Sequence, residues 1–105
     1  MSSKNRACKV AGEMVSLEVV EQIANTAAPA CMHAASTQSD VQRGENIVLF
    51  STDTKLKRED LQIVARNLSL PELAVARKII ILEELPLLGT GKTDYVMLKK
   101  MAEAA

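Results

Sequence analysis

The chain of 105 residues is poor in aromatic residues, with one Phe, one Tyr and no Trp. Phe50 and Tyr95 are too few to form the stacking platform on which many proteins bind single-stranded nucleic acid. The 13 Lys and Arg residues balance the 13 Asp and Glu residues, so the net charge is zero. Because no overall positive field would attract a polyanion, the sequence predicts no nucleic-acid partner.

Cysteine is also scarce, and long apolar runs are absent. Cys8 and Cys31 are too few for a disulfide framework or a zinc site, so we expect free thiols and no metal centre. No apolar run has membrane-spanning length, and the first residues lack the pattern of a signal peptide. The sequence therefore predicts no membrane-spanning segment and a cytoplasmic location.

The patterns that are present predict one α+β domain with a small sheet covered by three helices. Residues 1–5 are polar and are expected to be a frayed end or a hinge region, with the domain over 6–105. The first predicted elements are a hairpin over 6–15 bending at Gly12 and a helix capped by Ser16 and ending at Pro29. Strands over 31–36 and 45–52 follow, and then a helix from about Thr54. The last two elements are a buried strand within 78–85 and a helix over about 95–104. The sheet thus consists of the hairpin plus about three strands.

The most informative stretch is residues 86–95, Pro-Leu-Leu-Gly-Thr-Gly-Lys-Thr-Asp-Tyr. Gly89 and Gly91 allow the backbone to take positive φ or to approach a ligand closely. Thr93 or Asp94 can cap the helix that follows. A lysine on such a tip presents a positive charge to phosphate or carboxylate oxygens, so Lys92 is the candidate functional cation.

The nucleotide P-loop, Gly-x-x-x-x-Gly-Lys-Ser/Thr, fits this stretch only in its last three positions. Its first glycine is Pro86 here, which has no amide hydrogen and cannot contribute to a phosphate-binding nest. No later strand supplies a magnesium-binding Asp. We therefore exclude a P-loop.

The pattern Pro-x-x-x-x-Gly-Lys instead resembles the C-terminal motif of the adenylate-forming (AMP-binding) enzymes. A second block resembles the hairpin and helix that open the C-terminal domain of the same family, Lys9-x-x-Gly12-Glu13-x-Val15-Ser16-x-x-x-Val20-Glu21. Residues 11–18, 71–75 and 85–89 also resemble one branch, the acyl-acyl-carrier-protein synthetase part of bacterial bifunctional 2-acylglycerophosphoethanolamine acyltransferase. The resemblance covers the chain from Arg6 onward.

This resemblance implies an AMP-forming acid–thiol ligase that converts a fatty acid and ATP, with Mg²⁺, to an acyl-adenylate. The acyl group would then pass to the phosphopantetheine thiol of acyl carrier protein or CoA, a choice that the residues leave open. The resemblance implies that Lys92 is the catalytic residue and that its loop at ATP and substrate consists of Gly89, Thr90 and Gly91. It implies a pantetheine-channel loop formed by Lys9, Val10, Ala11, Gly12 and Glu13. The implied hinge is Asn5.

In that family a large N-terminal domain contributes most of the active site, and no counterpart of its phosphate loop occurs here. The resemblance therefore implies that this chain alone holds neither ATP nor Mg²⁺ and is inactive. It also leaves open an attachment of the parent protein to the inner face of the bacterial inner membrane. The alternative is a stand-alone carrier-protein-binding or accessory module without catalysis.

Overall fold

The computed structural model describes residues 7–10, 12–41 and 44–104. The strands in these ranges are β1 (Ala7–Val10), β2 (Glu13–Ser16), β3 (His33–Asp40), β4 (Gly44–Ser51) and β5 (Lys78–Ile81). The helices are α1 (Leu17–Ala27), α2 (Arg58–Asn67) and α3 (Tyr95–Ala104), with a 3₁₀ turn at Glu72–Ala74. The predicted α+β class, with a hairpin, three further strands and three helices, is confirmed.

Strand β4 is the centre of the sheet. On one side it pairs antiparallel with all of β3, from His33 opposite Ser51 to Asp40 opposite Gly44. On its other side, β5 pairs in parallel with its C-terminal half, and the β1–β2 hairpin joins its beginning through the Val10–Gly44 pair. The hairpin and β5 therefore lie at opposite ends of β4.

The helices cover both faces of this sheet, because alternate side chains of a strand point to opposite faces. Ile47 and Leu49 lie in one buried cluster with residues of α1 and α2, whereas Val48 and Phe50 lie in a second cluster with α3. The helical spacing of Leu17, Val20, Ala24 and Ala27 predicts one apolar face for α1, and in the structure the first three are buried and Ala27 is half-buried. The same spacing of Leu61, Val64, Ala65 and Leu68 predicts the buried face of the second helix, but Leu68 lies just beyond the end of α2 and is 39% exposed.

Strand β3 extends farther than the strand predicted over 31–36. It begins at His33, and the polar residues 38–40 continue it opposite residues 44–46 of β4. They are also held by α3, since Gln38 Nε2 donates a hydrogen bond to the carbonyl of Ala102 at 2.9 Å. These partners replace the water that a polar loop would use.

One predicted helix start and one predicted capping hydrogen bond need correction. The second helix begins at Arg58 and not near Thr54, because Leu56 N donates to Asp53 O in a turn that precedes it. Asp60 Oδ2 then accepts a hydrogen bond from Lys57 N at 3.2 Å at the helix start. Ser16 occupies the N-cap position of α1, but its hydroxyl makes no capping hydrogen bond.

Strand β5 is not the fully buried strand that its run of isoleucines suggested. Among the described residues it pairs only with β4, so Ile79 and Ile80 are half-buried on opposite faces and Ile81 is 38% exposed. The chain leaving it is fixed by a hydrogen bond from Leu82 N to Ser51 O at 2.9 Å. Leu85, which follows, is buried.

No helix within the described ranges is long and apolar enough to cross a membrane. The predicted hinge residue Asn5 and channel residue Ala11 lie outside the described residues, as does Arg6 at the start of the predicted domain. The hinge at 1–5 and the domain boundary at 6 therefore stay predictions.

Candidate functional site

The predicted Lys92 loop is a tight hairpin. Leu87 and Thr93 form an antiparallel bridge, and Leu88 N donates to the carbonyl of Lys92 at 2.7 Å. A second bond, from Gly91 N to Leu88 O at 2.8 Å, closes a turn over residues 88–91. Gly91 has φ +91°. This is the three-residue loop in which a turn is followed by a left-handed residue, a position that favours glycine.

Gly89 and Gly91 differ in the reason for their presence. Only Gly91 has a positive φ, and an added Cβ would meet nothing within 4 Å at either residue. Crowding within the described part of the chain therefore explains neither glycine, and the predicted close approach to a ligand stays a prediction. At Gly91 the positive φ itself favours glycine.

Asp94 attaches this hairpin to α3. Its backbone N donates to Pro86 O at 2.9 Å, which closes the base of the hairpin. Its carboxylate Oδ1 accepts a hydrogen bond from Met97 N at 3.0 Å, so Asp94, and not Thr93, caps the helix. On the other side of the hairpin, the buried Leu85 packs in one cluster with Leu98 of α3. The tip is thus held at both of its ends.

Lys92 itself is exposed, as are Gly89, Thr90 and Gly91. Within the described ranges, the Lys92 side chain makes no ion pair or hydrogen bond. Its ammonium group is therefore available to an anion that approaches the tip from outside.

Beside the tip lies an apolar surface. Leu87 and Leu88 are 50% and 47% exposed. They adjoin an open groove of about 410 Å³ lined by Leu82, Glu84, Leu85, Pro86, Leu87 and Met101.

The predicted channel loop is the turn of the β1–β2 hairpin. Val10 pairs with Glu13, and Gly12 between them has φ +87°. Val10 is buried, whereas Gly12 and Glu13 are exposed; only the backbone of Lys9 is described. Val10 also lines a groove of about 330 Å³ whose charged lining residues are Arg58, Glu72 and Arg77.

The structure does not bring these two turns together. The Gly12 turn lies at the Gly44 end of β4, whereas the chain leading to Lys92 departs from the Ser51 end. Seven residue steps of extended strand separate these two ends of β4 by roughly 24 Å. The two turns are therefore attached to opposite ends of the central strand.

Side chains of α1 and α3 bond to backbone groups on the outer edge of β3, a feature that the local sequence patterns did not indicate. At its beginning, Ala35 N donates to Glu21 Oε2 at 2.8 Å, and the Tyr95 hydroxyl donates to the same oxygen at 2.9 Å. Farther along, Lys99 Nζ donates to the carbonyl of Thr37 at 3.1 Å. No local signal could have revealed these contacts, because Glu21 and Tyr95 are 74 residues apart.

Glu103 of α3 lies at the far end of this edge, beside Ser39. Its carboxylate accepts hydrogen bonds from Lys99 Nζ at 2.9 Å and from the Ser39 hydroxyl at 2.9 Å. These hydrogen bonds, that of Lys99 first, lower the pKa of Glu103 below its ordinary value. The carboxylate is therefore the form that the fold favours at this end of the edge.

No protein-family model matches the chain. Solved structures do match it. The amide bond synthetase McbA from Marinactinospora thermotolerans has a TM-score of 0.78 at 20% identity, over 96% of this chain and 21% of its own. The Brucella canis acyl-CoA synthetase has a TM-score of 0.79 at 22% identity, over 97% of this chain and 20% of its own. The Mycobacterium tuberculosis fatty acyl CoA synthetase has a TM-score of 0.80 at 19% identity, over 94% of this chain and 20% of its own.

The fold is that of the C-terminal subdomain of adenylate-forming enzymes. The chain spans about a fifth of the length of these structures. At such low identity the likeness is one of fold, so the roles of Lys92, of its loop and of the Gly12 turn stay predictions. In the described part of the chain, no group of three or more His, Cys, Asp or Glu side chains could hold a metal ion.

Proposed function

We propose that residues 6–105 form the mobile C-terminal domain of an ATP-dependent, AMP-forming acid–thiol ligase. The observation that supports this function most strongly is the exposed Lys92 without an ion-pair partner in the described ranges, on a hairpin fixed by Gly91 and Asp94. The fold of this subdomain, found in solved acyl-CoA synthetases, agrees with it.

In the first half-reaction, a carboxylate oxygen of the fatty acid attacks the α-phosphorus of ATP. A bond forms between these two atoms, the bond from the α-phosphorus to the bridging oxygen breaks, and pyrophosphate leaves. Lys92 would contact the carboxylate and the phosphate oxygens, reducing the repulsion between two anions and orienting the nucleophile. The Gly89–Thr90–Gly91 loop would place the ammonium group without a bulky neighbour.

In the second half-reaction, a phosphopantetheine thiol attacks the acyl carbon, AMP leaves and the thiol proton is released to solvent. The Gly12 turn, from Lys9 to Glu13, would line the channel for this thiol. The attachment of the two turns to opposite ends of β4 supports a rotation of the domain between the half-reactions, and we place the hinge near Asn5. Each end of the sheet would thus serve one step.

The partners in this proposal are an N-terminal adenylate-forming domain and either acyl carrier protein or CoA, in the cytoplasm. The N-terminal domain would hold ATP and Mg²⁺, as the family resemblance implies. The half-exposed Leu87 and Leu88 beside Lys92 form an apolar surface suited to contact with that domain. Arg58 and Arg77, which line the groove at Val10 together with Glu72, would contact the negatively charged phosphate of a pantetheine arm.

The decisive experiment uses the protein expressed from the complete reading frame that encodes this chain. Lys92→Ala should lower adenylate formation, measured by ATP–pyrophosphate exchange with fatty acids of several chain lengths, by about 100-fold or more. Acyl transfer from preformed acyl-adenylate to acyl carrier protein or CoA should change little, because Lys92 acts only in the first step. Lys100→Ala, which removes an exposed lysine of α3, is the matched control.

An equal fall of both half-reactions in Lys92→Ala would contradict this division of labour. The accessory-module alternative is favoured by a different result. In that case the complete reading frame encodes no more than this chain, and the protein binds carrier protein saturably without any pyrophosphate exchange.

The isolated 105-residue chain should show no acyl-adenylate formation and at most weak ATP binding, because the proposed nucleotide site lies in another domain. Isothermal titration with ATP and a radiometric assay for acyl-adenylate measure both properties. Detectable adenylate formation by this chain alone would contradict the proposed domain role.

A further inference from the structure

The outer edge of β3 connects the two layers of helices. Strand β3 is an edge strand among the described residues, so its outward-facing backbone groups need partners from outside the sheet. Glu21 of α1 supplies one at Ala35, and α3 supplies others through Lys99 and Glu103. Helices that pack on opposite faces thus meet around this edge.

The contact at the beginning of α3 is the one closest to the proposed catalytic lysine. Tyr95 is the first residue of α3 and donates its hydroxyl to Glu21 Oε2 at 2.9 Å. The same oxygen accepts the backbone N–H of Ala35 at 2.8 Å. A single carboxylate oxygen therefore ties the start of α3 to α1 and to the sheet.

This connection acts on the Lys92 hairpin through a short path. Tyr95 directly follows Asp94, whose N–H closes the base of the hairpin on Pro86 and whose carboxylate caps α3. A movement of the start of α3 would therefore move the base of the hairpin, and Lys92 lies two residues before Asp94. Positioning to within a fraction of an ångström matters for a group that orients two reacting anions.

We propose that Glu21 and Tyr95 are positioning residues that fix the placement of the Lys92 ammonium group for adenylate formation. The inference rests on the proposed function, because it assigns these residues to the half-reaction that Lys92 serves. Neither residue contacts the reactants; they act through the start of α3.

The structure offers a matched control for this proposal. The Ser39 hydroxyl donates a 2.9 Å hydrogen bond to the Glu103 carboxylate, at the other end of the same strand edge and of α3. Tyr95→Phe and Ser39→Ala each remove one hydroxyl that bonds a carboxylate at the edge of β3. Only the first lies at the Lys92 end of the helix.

The test measures both half-reactions in the protein expressed from the complete reading frame. Tyr95→Phe should lower the kcat of adenylate formation by about 10-fold, with transfer from preformed acyl-adenylate within about 2-fold of the unmodified protein. Ser39→Ala should leave both rates within about 2-fold. Glu21→Gln, which keeps an acceptor oxygen for Tyr95 and Ala35, should retain most of the adenylation rate that Glu21→Ala loses.

A double variant tests whether Glu21 and Tyr95 act as one unit. Tyr95→Phe combined with Glu21→Ala should lower adenylation no further than Glu21→Ala alone, because both changes break the same bond. Additive losses would overturn the proposal.

Three results separate failure of this inference from failure of the proposed function. If Lys92→Ala abolishes adenylation but Tyr95→Phe does not lower it, the positioning role is wrong and the ligase function stands. If Tyr95→Phe lowers both half-reactions equally, or Ser39→Ala has the same effect, the contact is only structural and the proposal is wrong. If Lys92→Ala leaves adenylation intact, the proposed function and this inference both fail.

Discussion

The two glycine turns of this domain have almost the same backbone requirement but different supports. Gly12 has φ +87° and Gly91 has φ +91°, and no atom lies within 4 Å of a Cβ added at either position. The Gly12 turn continues into two strands paired from Val10–Glu13 to Ala7–Ser16. The Gly91 turn is followed by one isolated bridge, and its fixed position depends on Asp94 and the buried Leu85.

This difference shows that similar local conformations can place a loop with different precision. A turn at the end of a paired hairpin is held by the regular hydrogen bonds of the sheet. A turn at the end of an irregular connection is held by individual contacts from elsewhere in the chain, so each of these contacts becomes important. We therefore expect a substitution in the Lys92 turn to displace its loop more than a substitution in the Gly12 turn.

Gly91→Val should have the larger effect. A β-branched residue at φ +91° is strained by about 1–3 kcal/mol, and the hairpin can relieve this strain by moving Lys92. Adenylate formation should fall by about 10-fold or more. Pyrophosphate exchange and thermal unfolding measure the two consequences.

The matched control for that variant is Gly89→Ala, two residues earlier in the same turn. Gly89 has no positive φ and has open space around its Cβ position, so the thermal unfolding temperature should stay close to that of the unmodified protein. If both variants lowered the unfolding temperature equally, the positive φ of Gly91 would not be the reason for its loss of stability.

Gly12→Ala should have the smaller effect, and on the other half-reaction. Alanine at φ +87° costs about 1–2 kcal/mol, but the paired strands limit how far the turn can move. Transfer of the acyl group from preformed acyl-adenylate should slow by less than about 10-fold, with adenylation unchanged. A larger loss in adenylation than in transfer would contradict the assignment of the two turns to separate steps.

Local patterns were sufficient for most elements of the fold and for the candidate lysine. Period-3.6 spacing identified the buried face of α1, and the spacing of Pro86, Gly91 and Lys92 singled out an exposed tip. The same patterns failed where tertiary partners override local preference. The polar end of β3 is extended because Gln38 donates a hydrogen bond to the carbonyl of Ala102 in α3. Strand β5 is half-buried because, among the described residues, it pairs with β4 alone.

By itself, the sequence determined which segments are apolar on one face, where glycine permits a left-handed turn and which lysine stands on a polar tip, because these are properties of neighbouring residues. Only the tertiary structure decided that the two turns lie at opposite ends of β4. It alone also decided that Glu21 meets Tyr95 around the edge of β3. Such distances depend on how the sheet pairs and how the helices pack, and residues 74 positions apart carry no local signal of their contact.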